Sequence, residues 1–577
     1  MLNEKARIYV PLILLCGISL LLFLGDTPFN TRGEPREAVV AMSMINDGNW
    51  ILPVNNGDEI AFKPPFLHWL VAAFSLVAGS VSEFTSRLPS ALGCIAMVLC
   101  VYAYFERRRN SLTAMLTALV LLTCFEVHRA AMTCRVDMLL ASATVIGLLT
   151  AARWAERGCR RLPFLATVCF AAAALTKGPV GAALPCGIVF VFLLLRGKCR
   201  WYTALWKMIL VGILALIPLA AWYIAAYMQP HGGERFLQLI YEENVLRFLG
   251  KMSYASHVNP WPYNIMTVVT GFLPYTLAFV VALPLGIRWM RSAQWKAVRE
   301  KLRWNAVRDW WNGLRDADAF AATCFVVTFV FYCIPASKRS VYLLPLYPFA
   351  AYFVASFLAW LTEKHRRTLR TFGCILSVLV IVLTLAFVAV RWNLVPQTIF
   401  KGKHAAENVA FLEALRTAPL GVAGTLLAAF PCFLALAYVV RRRTTSALMV
   451  TAIVYALQLS LDGLYLPPIM EVKTDRGVAQ RIEKMAPQGT IYSFRTDVLE
   501  ANRLHPFTIN FYLGDRIIPI DKAPAMPRDG FLIVGNDEIQ DFTQAYPQYG
   551  VTEVFDAHHR SCDDKKMLHF YQFTIKR

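Results

Sequence analysis

The sequence predicts a polytopic α-helical membrane protein of about thirteen crossings, with a small soluble α/β domain at its C-terminal end. Three observations carry that expectation. Of 577 residues, 57% are hydrophobic and only 17% charged, where ordinary soluble chains carry about 25% charge. Apolar runs close to the ~20 residues needed to span a bilayer recur along most of the chain. From about Leu466 onward the composition becomes that of a soluble domain.

The spans are expected at roughly 8–25, 88–105, 111–127, 137–152, 162–176, 179–196, 207–227, 263–287, 318–336, 341–361, 372–391, 420–440 and 445–463. Basic loops fix their orientation. Six of them, at 106–109, 153–161, 196–201, 288–308, 363–370 and 441–443, join Lys5 and Arg7 as cytoplasmic anchors under the positive-inside rule. With thirteen spans all of these fall on one side. Counting the apolar stretch 64–79 (PPFLHWLVAAFSLVAG) as another crossing would turn all six loops outward. That stretch is therefore expected to lie along the outer surface as an interfacial helix.

Orientation also accounts for the formal charge of +20, from 58 basic and 38 acidic residues. Attraction to anionic lipid or phosphate is the second reading of that charge, and no nucleic-acid partner is expected. The basic start MLNEKARIYV has no small-residue cleavage site after it and reads as a retained span. The 14 cysteines are scattered, mostly within apolar runs, without a CxxC pair, and read as packing residues.

The chain thus divides into a membrane part, 1–463, with outer loops at 26–87 and 228–262, and a soluble outer domain, 464–577. In the latter, TIYSF, RIIPI, GFLIVG, TEVFD and LHFYQF read as strands and RGVAQRIEKM as a helix. No catalytic motif is visible there.

Ionisable groups beside hydrocarbon need a partner or a function. On the outer side they are Glu34 and Arg36 in TRGEPREAVV, Lys63 stiffened by the prolines of FKPP, Arg135 and Asp137 in RVDM, and Lys177 in the short turn LTKGP. Loop 228–262 adds Glu242, Glu243, Arg247, Lys251, His257 and Trp261, followed by Tyr263. Lys338 and Arg339 lie outside against the positive-inside trend. Bland readings exist for several: helix-start charges, a snorkelling lysine, an internal ion pair at Arg135 and Asp137, belt aromatics. Taken together, the excess of cations suits an anionic substrate at the bilayer surface, such as a lipid phosphate.

The order GEPR (33–36), GNW (48–50), FKPP (62–65), RLPSAL (87–92), RVDM, LTKGP, the aromatic loop 257–263 and SKRSVYLLP (337–345) resembles the GT-C glycosyltransferases that use polyprenyl-phosphate sugars. It is most similar to the lipid A aminoarabinose transferase family and more distantly to protein O-mannosyltransferases. The resemblance covers roughly 1–460. It implies a GT-C fold with interfacial helices in the first outer loop. The enzyme would sit in the bacterial inner membrane with its site facing the periplasm. Its donor would be an undecaprenyl-phosphate sugar, and its acceptor a lipid, such as lipid A, or another envelope glycan.

The implied chemistry is displacement at the anomeric carbon with inversion. Lys63, Lys338 and Arg339, supported by Lys177 and Arg135, would stabilise the leaving phosphate. Glu34, then Asp137, would be the base. Arg36 would orient Glu34 or bind the acceptor, and His257 and Tyr342 would complete the substrate site. Two departures stand out. The family's first acidic residue falls on Gly33. Its glutamate before the lysine, which with a histidine matching His257 can hold a divalent metal, is Phe62. Rival readings are a flippase for a lipid-linked sugar and an O-antigen ligase or polymerase.

Overall fold

Inside a bilayer a segment must satisfy its own backbone polar groups, so long apolar runs become helices. Capping chemistry sets where they begin. Ser82 opens Glu83–Glu106 through a reciprocal hydrogen-bonded box with Thr85. Asn110 opens Ser111–Thr123 by accepting from the Thr113 amide at 2.7 Å. A computed structural model describes residues 2–55, 59–230, 232–246, 249, 251, 258–292, 295, 304–441, 443, 445–486, 489–494, 504–523 and 525–576.

Among the described residues, eight helices are long and apolar enough to cross a membrane: Glu83–Glu106, Val136–Glu156, Trp201–Tyr227, Asp316–Cys333, Ser340–Lys364, Arg366–Arg391, Val422–Val440 and Ala447–Lys473. Two bent pairs raise this to as many as ten: Ser111–Thr123 with Phe125–Ala131 (64°) and Tyr263–Gly271 with Thr276–Met290 (103°). The remaining three expected crossings fall on shorter apolar helices, Ile8–Leu21, Phe164–Lys177 and Val180–Leu195. The last two, of 14 and 16 residues, reach only about 21 and 24 Å, so length alone supports eight to ten crossings where thirteen were expected. The helices share one apolar core. Outward stripes such as Ile209, Ile213 and Ile217, each more than half exposed, suit contact with lipid.

The two ends of the bundle differ. At one end the basic loops bind one another and neighbouring helix ends. Arg108 pairs with Glu156, Arg196 with Asp316 and the Trp311 carbonyl, and Lys207 donates to the Cys159 carbonyl. At the other end lie Arg87, Asp137 and Lys177. The helix Val136–Glu156 carries Asp137 in its first turn and Glu156 in its last, so its 21 residues hold the two ends about 30 Å apart.

Stretch 64–79 forms the 13-residue helix Phe66–Ala78, about 20 Å long and too short to cross. It packs on Pro35–Asp47 around Ala41, Leu67, Val71, Ala72 and Cys134. Gly48, at φ 69°, ends the Pro35–Asp47 helix in a left-handed cap.

The C-terminal part, after the helix that runs through Ala447–Lys473, carries helix Arg476–Met485 and a five-stranded sheet. Its order is Ile517–Pro519, Ile491–Ser493, Asp529–Gly535, Met567–Ile575, Tyr549–Arg560. The first three strands pair in parallel and the last two join antiparallel. Each of the five sequence runs read as strands lies on one of them. This domain seats the short helix Phe507–Tyr512 against Pro35–Asp47, with Phe511 edge-on to Phe29 at 4.7 Å.

Candidate functional site

Four segments converge at the end that carries Arg87, Asp137 and Lys177. They are the turn into Pro35–Asp47, the stretch 59–68, loop 128–137, and residues 335–342. Pro35 at the first helical position suits a helix start and leaves Glu34 just before it. Both Glu34 oxygens are engaged there. Arg87 donates from Nε to Oε1 at 2.9 Å and from Nη2 to Oε2 at 3.2 Å, and the Cys134 amide donates to Oε1 at 2.9 Å. Arg87 uses its remaining amino group on the Leu24 and Thr27 carbonyls and the Thr27 hydroxyl. Both side chains are buried. Glu34, expected as the first-choice base, is thus the centre of a staple between three outer segments. In the sequence Arg87 stands out as the first residue of the RLPSAL motif, without a sign of its partner.

One turn along the same helix, Glu37 is buried between the Lys63 ammonium and His68 Nε2, the latter at 2.9 Å. Burial opposes its ionisation, but Lys63, the His68 hydrogen bond and the Arg36 charge hold its carboxyl well below the usual range. Arg36 pairs with Glu59 at 3.1 Å and lies over the Phe62 ring at 5.8 Å. His68 Nδ1, Asn55 Oδ1 and Glu59 Oε2 are buried without a hydrogen-bond partner among the described residues. These three residues help line one small cavity with Lys63. Glu37 belongs to the charge cluster visible in TRGEPREAVV, whereas Glu59 and His68 do not stand out in the sequence as site residues. The one signal was a histidine inside an apolar stretch.

Gly33 sits directly beneath Arg135. A Cβ at position 33 would lie 1.9 Å from Arg135 Nη2, so the guanidinium fills the space a side chain there would take. Arg135 makes no side-chain hydrogen bond among the described residues. Two positions further on, Asp137 forms an ion pair with Lys177 and is also reached by the charges of Arg135 and Arg339. The Lys177 ammonium lies 4.3 Å from the centre of the Tyr342 ring. Asp137, Arg135, Lys177, Arg339 and Tyr342, drawn from separated stretches of sequence, therefore meet. Ser340, next in sequence to Arg339, lines a cavity of about 370 Å³ with Phe125, Glu126, Arg129, Tyr263 and Met266, and Glu126 is paired with Arg129.

Lys338 does not join them. Its ammonium is buried against the Pro335 carbonyl at 2.8 Å and the Asn259 carbonyl at 3.2 Å, and Asn259 donates back to the Lys338 carbonyl at 3.0 Å. Two carbonyls occupy the charge expected to face a phosphate, and Lys338 fastens loop 258–260 instead. His257 and Arg247 lie outside the described residues. At the metal position implied by the resemblance, Phe62 offers a ring and no oxygen. Among the described residues, a group of three potential ligand atoms occurs in the soluble domain, at Asp475, Cys562 and Asp563. Asp475 already accepts from His559, Ser561 and the Cys562 amide.

Comparison with known proteins follows the same lines. Residues 62–224 match the dolichyl-phosphate-mannose-protein mannosyltransferase family. The crystal structure of ArnT from Cupriavidus metallidurans bound to undecaprenyl phosphate superposes with a TM-score of 0.67 over 98% of each chain, at 18% identity. The fold is that of ArnT. With that fold and its helices long and apolar enough to cross a bilayer, the chain is a multi-pass membrane protein. An uncharacterized protein of Aquifex aeolicus (strain VF5) is 29% identical over 59% of this chain and 62% of its own length. The undecaprenyl phosphate-α-4-amino-4-deoxy-L-arabinose arabinosyl transferase of Shewanella sediminis is 27% identical over 44% of this chain and 46% of its own length. The chain thus spans about half to three fifths of these relatives.

Proposed function

We propose that the chain is a membrane glycosyltransferase of the GT-C type. It moves a sugar from an undecaprenyl-phosphate carrier to an acceptor at the periplasmic face of the bacterial inner membrane. The carrying observation is the charge arrangement at the polar end of the bundle. The carboxylates of Glu34, Glu37 and Asp137 are each bound to a cation, while Arg135 makes no side-chain hydrogen bond among the described residues and the Arg339 charge also reaches Asp137. Such a surplus of cations is complementary to the negative charge that grows on a departing lipid phosphate. Preorganised cations there stabilise the transition state by several kcal/mol, worth about 10²–10³ in rate. Arg135, Arg339 and Lys177 take that role, with Lys63 at the margin. Tyr342 holds Lys177 by its ring. The large cavity beside Ser340 suits the carrier or its sugar.

This arrangement also bears on the acceptor. A neutral hydroxyl acceptor needs a base to take its proton. Glu34 is committed to Arg87, Glu37 to Lys63 and His68, and Asp137 to Lys177, and Glu59 pairs with Arg36 through one oxygen, so each of these carboxylates is already tied to a cation. An acceptor that is already an anion, such as a phosphate on a lipid A-like molecule, needs none and is drawn to the same cations. A single displacement inverts the anomeric centre.

The test is transfer by the purified protein in vesicles, from undecaprenyl phosphate-α-4-amino-4-deoxy-L-arabinose to lipid A, read by mass spectrometry. Product should form, and R135A and R339A should each lower kcat about 10²-fold or more. Movement of the donor across the bilayer with no product would replace this reading with the flippase one. Transfer to a lipid A lacking its phosphates, as fast as to intact lipid A, would overturn the anionic acceptor.

A further inference from the structure

We propose that the soluble C-terminal domain is a working part of the transfer site, with Phe507 as a positioning residue that holds Arg32 and Arg36 beside the Glu59–Lys63 cluster. The inference rests on the transfer reading above and goes beyond it by giving the domain a role.

Arg32 and Arg36 are four residues apart where the chain enters the Pro35–Asp47 helix, so their like charges repel at short range. Both are half-buried, where that repulsion is weakly screened. Burial first, and then the Arg36 charge, push the Arg32 guanidinium down. The Glu59 charge offsets part of this, and the C-terminal domain adds to it. The face of Phe507, itself 1% exposed, lies 5.3 Å from the Arg32 guanidinium carbon and 5.9 Å from that of Arg36. Both distances fall within the range of cation–π attraction. Arg36 is thereby held between two rings, Phe62 and Phe507, with Glu59 fixing its end. Asp563 and Asp564 add negative charge toward Arg32.

The ring is firmly placed. Asp563 accepts from the Thr508 amide and hydroxyl, each at 2.8 Å, and Asp564 accepts from the His505 amide at 2.8 Å. At the other end of the same short helix, Tyr512 donates to Glu83 at 2.7 Å and accepts from the Phe29 amide at 3.0 Å. Ser43 donates to Asp515 at 2.6 Å, and Thr474 to the Phe29 carbonyl at 2.5 Å. Phe507 thus brings a buried aromatic face from the C-terminal domain over two arginines next to the Glu59–Lys63 cluster. Arg36 in turn acts on Glu37, whose partner is Lys63, so the ring sets the field around the first outer loop.

The experiment compares F507L, which keeps apolar volume but removes the ring face, with F507W, which restores a ring. In F507L, kcat for sugar transfer should fall about five- to tenfold with the donor KM changed less than about twofold. F507W should recover at least half of wild-type kcat. A second reading needs no activity: phenylglyoxal labelling of Arg32 and Arg36, followed by peptide mass spectrometry, should quicken several-fold in F507L and not in F507W. Wild-type kcat and labelling in F507L would overturn the proposal. So would equal losses in F507L and F507W that track a fall in melting temperature, since that is packing alone. If the wild-type protein transfers no sugar while labelling responds to F507L, the transfer reading fails and the positioning of the two arginines stands.

Discussion

Glu34 with Arg87 and Asp137 with Lys177 are the same chemistry in two settings. Each pairs a carboxylate at the start of a helix with a cation from another segment. The first pair is sealed. Arg87 is 2% exposed, and Glu34 spends both oxygens on the pair and on the Cys134 amide. The second pair is open on one side, with Lys177 about a quarter exposed and Arg135, Arg339 and Tyr342 gathered around it. A sealed ion pair holds segments together, because removing either partner strands a buried charge. An open pair among surplus cations can exchange its partner for a substrate. Proximity to the membrane surface does not separate the two roles; access does.

The sharpest way to break this comparison is R87A. It should destabilise the protein by about 3–5 kcal/mol, seen as loss of detergent-stable monodisperse protein. A well-behaved R87A protein would show that the staple is dispensable. K177A comes next. It should fold, with kcat reduced about 10²-fold, and normal turnover would remove the open pair from the site. E34Q and D137N should diverge: E34Q loses thermal stability but keeps kcat within about tenfold, whereas D137N keeps stability and loses activity. The opposite pattern would restore Glu34 as the base. G33A should lower donor transfer by displacing Arg135, since the added methyl would meet its guanidinium. Labelling of Arg135 should rise in parallel.

The smallest effect is on pH. Asp563 in the soluble domain is pushed up to about 7, first by burial and then by Asp475. A carboxyl raised above its unfolded value of about 3.9 holds its proton longer in the native state. Native protein then binds more protons between those two values, so this group's contribution to stability falls as pH rises from about 4 to 7. Glu37 has the opposite sign. Its depressed carboxyl stabilises the first outer loop above its unfolded range, and that contribution is lost only on strong acidification. Melting curves of D563N should therefore lose part of the decline between about pH 4 and 7, and an unchanged slope would assign that decline elsewhere.

Much of this architecture is legible in the order of the amino acids. The apolar runs fall on helices, the stretch 64–79 on a helix too short to cross, and five short runs in the soluble domain on its five strands. Of the candidate site, Arg135, Asp137, Lys177, Arg339 and Tyr342 stand out in the sequence and meet in space. Lys338 cannot be read correctly in the same way. Its charge and outward position are visible, but the two carbonyls that occupy it belong to Pro335 and to Asn259, and the latter lies 79 residues away.

By itself the sequence determined the helical membrane body, the sorting of basic loops to one end, and the set of charged residues at the other. Those follow from hydropathy, period and local charge, which act over a turn or a span. Only the tertiary structure decided which acid meets which base. Glu34 finds Arg87 across 53 residues and the Cys134 amide across 100, while Phe507 reaches Arg36 from the far end of the chain. Pairings at that distance depend on how helices and domain pack, and composition carries no record of them.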